Sequence, residues 1–281
     1  MSKSECIAEL PQAGSEQAKP FLRWAGSKRA MLPHLRKNIP DGFGKYIEPF
    51  VGSACLYFDI EPTQAVLSDL NIRLIDTYKT VSEKPADVAH FLARMPTGSE
   101  AFYKVRANYQ KLRSPISKAA TFIYLNRFCF NGLYRTNQSG HFNVPYGAPR
   151  SGAVPNASDL QRAARSIAIA EIYSGDFEEV VLSHAKNNDF VYLDPPFHTS
   201  SARIFTQYNA KPFANEDFDR LVSVLREIDR RGCKFLLSYS HTPEGIKAFS
   251  KFRLTEVITR RNISGFPQHR GVARELLVRN Y

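Results

Sequence analysis

Short apolar runs, separated by helical patterns, are the feature that most limits the fold of this chain. The runs are KYIEPF (45–50), AVLSDL (65–70), FVYLD (190–194) and CKFLLSY (233–239). Strands that alternate with helices are typical of a mostly parallel sheet covered by helices. Two further β-type runs, at 253–261 and 274–281, flank a loop with Gly and Pro and predict an antiparallel hairpin at the sheet edge.

The middle of the chain has a different pattern. Helical periodicity predicts helices at 85–95, 99–113, 117–128 and 158–169, the last with a Ser158/Gln161 capping box. A loop rich in Gly, Asn and Pro (131–156) lies between the third helix and the fourth. We therefore expect a polar tail (1–18), a sheet domain formed from two segments (19–84 and 171–281), and a helical domain inserted between them (85–170).

Positive charge is concentrated in the predicted helical domain. The chain has a formal net charge of +11, and the interval between Glu100 and Asp159 contains eight lysines and arginines and no acidic residue. A surface formed by chance would mix both signs, so this interval favours contact with a polyanion such as nucleic acid. A basic face with no ligand is the alternative.

Several classes of protein are disfavoured by what the sequence lacks. It has no run of 18 apolar residues and no apolar core of a signal peptide near its start, so we expect a cytoplasmic protein that does not span a membrane. Its four cysteines have no CxxC spacing, which disfavours a zinc site and a disulfide framework, and we expect no metal.

A glycine turn and an acid predict a nucleoside site. Gly52 follows the first strand, and Asp69 ends the second, where an acid can accept hydrogen bonds from a ribose. Neither GxGxxG nor GxxxxGK[ST] occurs, so a ligand without a pyrophosphate fits better. Asp69 could instead cap the next helix. Trp24 and Lys28, in a polar and aromatic cluster before a helix, fit the edge of a site or the core.

The tetrapeptide Asp194, Pro195, Pro196 and Phe197 follows the third strand. A proline pair ends strands in many proteins because proline has no N–H to donate. Alone, these residues predict a turn more readily than a site. Their place in a chain that also has a ribose-type acid, Asp69, and a basic interval without acids favours a catalytic loop.

Five motifs in one order extend this interpretation to a family. FLRWAGSK, YIEPFVGSA, LSDLN, YLNRFCFNGLYRTNQSGHFNVPYG and VYLDPPF resemble those of the Dam-type DNA adenine-N6 methyltransferases, the D12 class. The resemblance extends from about Pro20 to Tyr281. It implies a class I, Rossmann-like α/β fold, in which a helical target-recognition domain interrupts a mostly parallel, seven-stranded sheet. It also implies S-adenosyl-L-methionine as cofactor and double-stranded DNA as partner.

The resemblance assigns roles to single residues. It implies a cofactor site formed by Trp24, Lys28, Gly52, Asp69 and Asp194. It implies a catalytic tetrapeptide of Asp194, Pro195, Pro196 and Phe197. The positions that match DNA contacts of the family are Arg23, Asn131, Leu133, Arg135 and Pro145. Arg127, in the basic interval, is expected to hold a phosphate.

Two positions depart from the family pattern. Ala54 stands where the family usually has a second glycine, and its methyl group would be tolerated if φ is negative there. Phe197 replaces the commoner tyrosine, which keeps a face for stacking but removes a hydroxyl.

The expected activity is methyl transfer to N6 of a flipped-out adenine in a short, GATC-like duplex site, by a bacterial or phage enzyme that is a monomer or weak dimer. The alternatives are an RNA adenine or cytosine-N4 methyltransferase and a DNA-binding protein whose catalytic site has decayed. A C5-cytosine enzyme is disfavoured because its cysteine nucleophile, in a Pro-Cys pair, is absent.

Overall fold

A computed structural model describes residues 17–147, 153–196, 213–260 and 272–281. Within these ranges the chain forms a seven-stranded sheet with helices packed against it. Phe197 lies outside the described residues.

The sheet has the order β3-β2-β1-β4-β5-β7-β6. Its strands are β1 (Tyr46–Glu48), β2 (Ala65–Asp69), β3 (Ala170–Ser174), β4 (Phe190–Leu193), β5 (Lys234–Ser240), β6 (Arg253–Arg260) and β7 (Val272–Arg279). The pairs from β3 through β5 are parallel, and β7 is antiparallel to both β5 and β6. The mixed α/β fold with a mostly parallel, seven-stranded sheet is therefore confirmed.

One strand was missed by the sequence analysis. The run AEIYS, which forms β3, is only half-buried because β3 lies at one edge of the sheet. The central strands β1 and β4 are buried at every position, and continuous apolar runs identified them readily. The predicted hairpin is also present, with β6 at the edge and β7 inserted next to β5.

The order of the strands fixes where a ligand can bind. From β1 the chain proceeds to β2 and β3 on one side, and from β4 to β5 on the other. The carboxyl ends of β1 and β4 thus meet where the strand order reverses, which is where open α/β sheets bind ligands. Gly52 and Asp194 follow these two strands, and Asp69 ends the neighbouring β2.

Ten α-helices lie within the described residues. They are α1 (Leu32–Arg36), α2 (Cys55–Ile60), α3 (Ile72–Glu83), α4 (Pro85–Ala93), α5 (Ser99–Asn108), α6 (Pro115–Phe128), α7 (Ala157–Ile167), α8 (Phe177–His184), α9 (Asn215–Arg230) and α10 (Pro243–Ala248). A 3₁₀ helix, Lys28–Met31, precedes α1. None of the helices described is long and apolar enough to cross a membrane.

Helix α6 is the centre of the helical segment. It is buried over most of its length, from Ser117 to Asn126, and it packs against α3, α4 and α5. Its side chains belong to the same apolar core as those of β1 and β2. The helical segment and the sheet thus share a core, and this core fixes the loop after α6 relative to the carboxyl edge of the sheet.

Two helix starts differ from expectation. The capping box of α7 is formed by Asn156 and Asp159 rather than by Ser158 and Gln161, because the helix begins one residue before Ser158. The sequence also favours Asn215 as the N-cap of the helix that precedes CKFLLSY, but Asn215 is the first residue of that helix, α9, and Ala214 is its N-cap.

Candidate active site

The turn after β1 requires glycine. Gly52 has φ +45°, and a Cβ there would lie 2.7 Å from Cδ1 of Trp24. Its N–H donates to Oδ2 of Asp69 (3.2 Å), and its carbonyl accepts from the hydroxyl of Tyr78 (3.0 Å). The turn therefore brings together three of the expected cofactor positions, Trp24, Gly52 and Asp69.

Ala54 adopts a left-handed conformation, with φ +52° and ψ +38°. The negative φ that would have suited alanine is not present, so this residue carries the strain that glycine avoids. It is fully buried in the apolar core. Its methyl group thus packs inside the protein rather than lining an open cofactor pocket.

Asp69 is held by the backbone at both oxygens. Oδ1 accepts from the N–H of Asn71 (2.9 Å), and Oδ2 accepts from Gly52. Helix α3 is capped by Asn71, whose side chain accepts from the N–H of Leu74 (3.2 Å), so Asp69 is not the cap. Burial raises the pKa of Asp69 to about 6, and the two N–H donors oppose that rise. The carboxylate keeps lone pairs that could accept from a hydroxyl group.

Trp24 joins the turn to the helical segment. Its ring stacks on Tyr134 (centroids 6.0 Å apart) and on Phe122 of α6 (6.4 Å). The backbone of Gly52 lies close to Cδ1 of the same ring. An aromatic wall therefore runs from the sheet edge to the loop after α6.

Lys28 lies between two carboxylates. Its Nζ is 2.6 Å from Oδ1 of Asp194 and 3.6 Å from Oε2 of Glu275, a residue of β7, and it donates to the carbonyl of Gly26 (3.4 Å). Lys28 and Glu275 are each 6% exposed, and the side chain of Asp194 is 18% exposed. The structure thus brings Lys28 and Asp194 into direct contact.

Glu275 was missed by the sequence analysis. The sequence signal for Glu275 was an acid inside the apolar run RELLV. An acid is common in a hairpin at the edge of a sheet. Because β7 lies between β5 and β6, this acid is instead in the interior. Buried carboxylates are rare unless they are paired. That rule makes an acid within a buried strand a candidate site residue.

The pKa of the Asp194 carboxyl is shifted from its usual value. Burial raises its pKa to about 6; Lys28 opposes this rise and Glu275 adds to it. The next residue, Pro195, is buried, whereas Pro196 is exposed. Because Asp194 and Pro195 follow β4 directly, the rigid end of that strand sets their position.

A second acid missed from the sequence lies deeper. Glu48, the last residue of β1, is 3% exposed and accepts a hydrogen bond from the Tyr46 hydroxyl (2.9 Å). Burial raises the pKa of Glu48 well above its usual range, and the charges of Asp194 and Asp69 raise it further. The burial of Glu48 therefore disfavours a charge on this carboxyl.

One buried amide fixes the loop after α6 to the segment before Trp24. Asn126 accepts from the N–H of Arg23 (2.8 Å) and donates to the carbonyls of Arg23 and Gly132 (3.3 Å to the latter). Asn131 has φ +55°, and a Cβ on Gly132 would lie 2.7 Å from Cβ of Arg23. The loop can approach this closely only because residue 132 is glycine.

Three of the expected DNA contacts lie on this loop beyond Gly132. Nε of Arg135 donates to Oδ1 of Asn143 (2.7 Å), which orients the guanidinium. Leu133 is half-buried. Pro145 is exposed, and its carbonyl accepts from the N–H of Phe130 (2.9 Å). Of these three, Arg135 has a side chain held in a defined orientation by another side chain.

A group of arginines lies beside the loop. Nη1 of Arg23 donates to the carbonyl of Arg127 (3.3 Å). Burial lowers the pKa of Arg127, and the like charges of Arg23 and Arg29 lower it further. Clustered guanidinium groups suit a phosphate, and Arg29 was not singled out from the sequence. Among the described residues, no group of three or more His, Cys, Asp or Glu side chains is placed to hold a metal ion.

Comparisons with known proteins agree with this geometry. A family model described as D12 class N6 adenine-specific DNA methyltransferase matches residues 24–263. The chain is 31% identical to Type II methyltransferase M1.LlaDCHI of Lactococcus lactis subsp. cremoris, over 97% of this chain and 99% of that protein. It is 32% identical to Type II methyltransferase M.MjaIII of Methanocaldococcus jannaschii (94% and 100% covered). It is 30% identical to the DNA adenine methylase of Escherichia coli (strain K12) (92% and 94% covered).

Proposed function

This chain belongs to the D12 class of N6 adenine-specific DNA methyltransferases, the family expected from its five motifs, and we propose that it transfers a methyl group from S-adenosyl-L-methionine to N6 of an adenine flipped out of a short, GATC-like duplex site. The observation that carries the proposal is the meeting of Gly52, Asp69 and Asp194 at the reversal of strand order. The helical segment (85–170) would be the target-recognition domain, inserted in a catalytic domain formed by 19–84 and 171–281.

The residues at the carboxyl edge fit the cofactor. Gly52 lets the backbone of the turn lie against the Trp24 ring, and Asp69 has the acceptor capacity that two ribose hydroxyls need. Lys28 is the cation of this edge. When bound, S-adenosyl-L-methionine supplies an electrophilic methyl group on a sulfonium.

The substrate amine needs two acceptors. The lone pair of adenine N6 is delocalised into the ring, so N6 is a poor nucleophile. The Asp194 carboxylate and the Pro195 carbonyl would each accept one N6 hydrogen and localise the lone pair toward the methyl group. As the N–C bond forms, the bond from the methyl group to sulfur would break; N6 would carry a positive charge until it loses a proton, which Asp194 would accept. Holding the reacting atoms in line supplies much of the acceleration.

The base would be held by Phe197 and Pro196. Stacking of a base on an aromatic side chain is worth roughly 1–3 kcal/mol, which offsets part of the few kcal/mol needed to flip it. Arg135 would contact a guanine edge, with Nε held by Asn143 and both terminal nitrogens directed to O6 and N7. Leu133, Asn131 and Pro145 would complete the contact with the groove.

Arg23 and Arg127 would hold the backbone. The Arg23 guanidinium donates to the backbone carbonyl of Arg127, so both residues lie where α6 ends, and each would pair with a phosphate. Such contacts position the duplex without reading its sequence.

The test is incorporation of a tritium-labelled methyl group into unmethylated duplex DNA, followed by analysis of the modified base. We expect N6-methyladenine, loss of incorporation in Asp194→Asn with DNA binding retained, and wild-type incorporation in Asp219→Asn, an exposed acid on α9. Methylation of RNA alone, or of cytosine N4, would replace the proposed substrate. Binding of DNA without any methyl transfer would indicate a decayed site.

A further inference from the structure

A second carboxylate lies close to the proposed reaction and takes no part in the mechanism above. Glu275 is 6% exposed, and its Oε2 makes no hydrogen bond within the described part of the chain. Its ion-pair partner among the described residues is Lys28, at 3.6 Å. A buried carboxylate paired at this distance recovers little of its desolvation cost, so it is a weak stabilising contact. Stability therefore does not explain why a carboxylate is buried at this position.

The charges around Lys28 are unbalanced. One ammonium faces the carboxylates of Asp194 and Glu275, which gives a formal charge of −1 when all three are ionised. Without Glu275, Lys28 would neutralise Asp194 alone. A carboxylate that is fully neutralised by an ammonium is a weaker acceptor for a third group.

The reaction itself needs an excess of negative charge here. N6 of adenine becomes positive as it gains a methyl group and stays so until it loses a proton. Groups placed in advance to stabilise a developing charge are the largest contribution to catalysis in many enzymes. The side chains of Asp194, Lys28 and Glu275 form such a group, with net charge opposite to the one that develops.

Resting on the proposed function, we propose that Glu275 is a positioning residue for methyl transfer: it shares the Lys28 ammonium with Asp194 and so keeps the Asp194 carboxylate a strong acceptor for the substrate amine. Glu275 acts through Lys28 and does not touch the substrate. Its place on β7, between Ser240 of β5 and Val257 of β6, holds the carboxylate at a fixed distance from Lys28.

The other titratable groups near Asp194 do not replace this role. Burial raises the pKa of Glu48, on β1, well above its usual range, which disfavours a charge there. Burial, together with the charge of Asp194, raises the pKa of Tyr192 on β4 well above its usual range, so this phenol is neutral. Within the described parts of the chain, Lys28 and Glu275 are the groups whose charges act on the Asp194 carboxyl.

The experiment is Glu275→Gln, assayed by single-turnover methyl transfer to duplex DNA between about pH 5 and pH 8. The rate should fall as Asp194 is protonated, so it has an acid limb. In E275Q the neutral amide no longer shares Lys28, the pKa of Asp194 falls, and the midpoint of the acid limb moves to lower pH. We also expect a plateau rate lower by roughly tenfold, since a less basic carboxylate is a weaker acceptor.

A second readout uses the protein without cofactor or DNA. In protein labelled with carbon-13 at aspartate carboxyl groups, the Asp194 resonance, assigned by its loss in Asp194→Asn, should titrate at lower pH in E275Q than in wild type. The matched control is Glu256→Gln on the neighbouring strand β6, where the carboxylate pairs with Arg274 (3.3 Å). This variant should leave both the rate and the Asp194 titration unchanged.

The outcomes separate the two proposals. If the wild-type protein transfers no methyl group, the proposed function fails. If it is active and E275Q keeps its rate and midpoint, only the role of Glu275 is overturned. Should E275Q not fold, Glu275→Asp keeps the charge but moves the carboxylate away from Lys28; we expect a slower rate and a midpoint at lower pH, both changed less than in E275Q, and a wild-type rate with a wild-type midpoint would overturn the proposal.

Discussion

The side-chain amide of Asn126 hydrogen-bonds both the backbone N–H and the backbone carbonyl of Arg23. A third hydrogen bond, to the carbonyl of Gly132, fixes the start of the loop that carries Arg135. Arg23 precedes Trp24, so one buried amide connects the proposed cofactor pocket with the proposed DNA-reading loop. The geometry of the two sites is therefore coupled.

Asn126→Asp tests this coupling. The variant replaces an N–H₂ group with an oxygen that faces two carbonyls, those of Arg23 and Gly132. We expect a loss of unfolding free energy on the order of 2–4 kcal/mol in urea titrations. Calorimetry should also show weaker cofactor binding, and methylation assays should show poorer discrimination between sites. The control is Asn108→Asp, whose amide donates to the Lys104 carbonyl on an exposed helix surface; a similar loss there would contradict this account.

Because Ala54 has a strained backbone, we expect Ala54→Gly to cost less unfolding free energy than other buried alanine-to-glycine changes. Ala54→Gly removes a buried methyl group but relieves a left-handed conformation that costs an alanine roughly 1–2 kcal/mol. The two effects nearly cancel, so we expect little change in unfolding free energy. Ala163→Gly in α7, an equally buried alanine, has no strain to relieve and should cost about 1–2 kcal/mol. Equal losses in the two variants would show that Ala54 is unstrained.

Gly52→Ala should disrupt the proposed cofactor pocket. Its Cβ would meet the ring of Trp24, the only tryptophan of the chain, so the fluorescence emission of Trp24 should shift and cofactor affinity should fall at least tenfold by calorimetry. Gly140→Ala is the matched control, because Gly140 also has a positive φ but has open space around it. G140A should carry similar backbone strain with normal emission and affinity. A normal emission in G52A would argue against the contact.

The raised pKa of Asp69 predicts that the free energy of unfolding depends on pH. Its pKa in the folded protein is raised from its ordinary value to about 6, so folding favours the protonated form. The stability that this provides is fully present below about pH 4 and is lost as the pH rises through about 6, an effect on the order of 2 kcal/mol. Asp69→Asn cannot titrate, so its unfolding free energy should fall less between pH 4 and pH 7. Urea titrations at several pH values measure this difference, and parallel curves for the two proteins would exclude the effect.

Arg135→Lys tests whether Arg135 recognises bases or only attracts DNA by its charge. Lysine keeps the positive charge but loses the planar fork and the Nε contact with Asn143, so discrimination against a wrong base should fall by about 1–3 kcal/mol. Lys111→Ala should instead weaken binding to all sequences alike and reduce the salt dependence. Binding measured on matched and mismatched duplexes at two salt concentrations distinguishes the cases. Unchanged discrimination in R135K would remove Arg135 from the reading role.

The sequence predicted the parts of the fold that depend on local pattern. Short β-type runs predicted β1, β4 and β5, and the five motifs indicated the family. Strand β3 was missed because half-buried edge strands have weak patterns. The caps of α7 and α9 were displaced by one or two residues, since several neighbouring residues can serve as caps and packing decides which one does.

The sequence predicted the site residues that lie within a single motif. It did not predict the contacts between segments that are distant in the sequence. Gly52, Asp69 and Asp194 each end or follow a strand, so topology alone brings them together. Some contacts join residues that are far apart in the sequence, as between Lys28 and Glu275 and between Asn126 and Arg23. No local sequence pattern indicates such contacts. The left-handed conformation of Ala54 was likewise a property of the folded turn.

The insertion of β7 between β5 and β6 has a consequence for protein synthesis. Chains emerge from the ribosome with their N-terminal segments first, so every other strand of this sheet is made before β7. Until β7 arrives, β6 has no partner in the sheet and Lys28 faces a single carboxylate. A nascent chain would therefore form the turn at Gly52 early and gain the Glu275 carboxylate, together with the last strand pairings of the sheet, only at the end of synthesis.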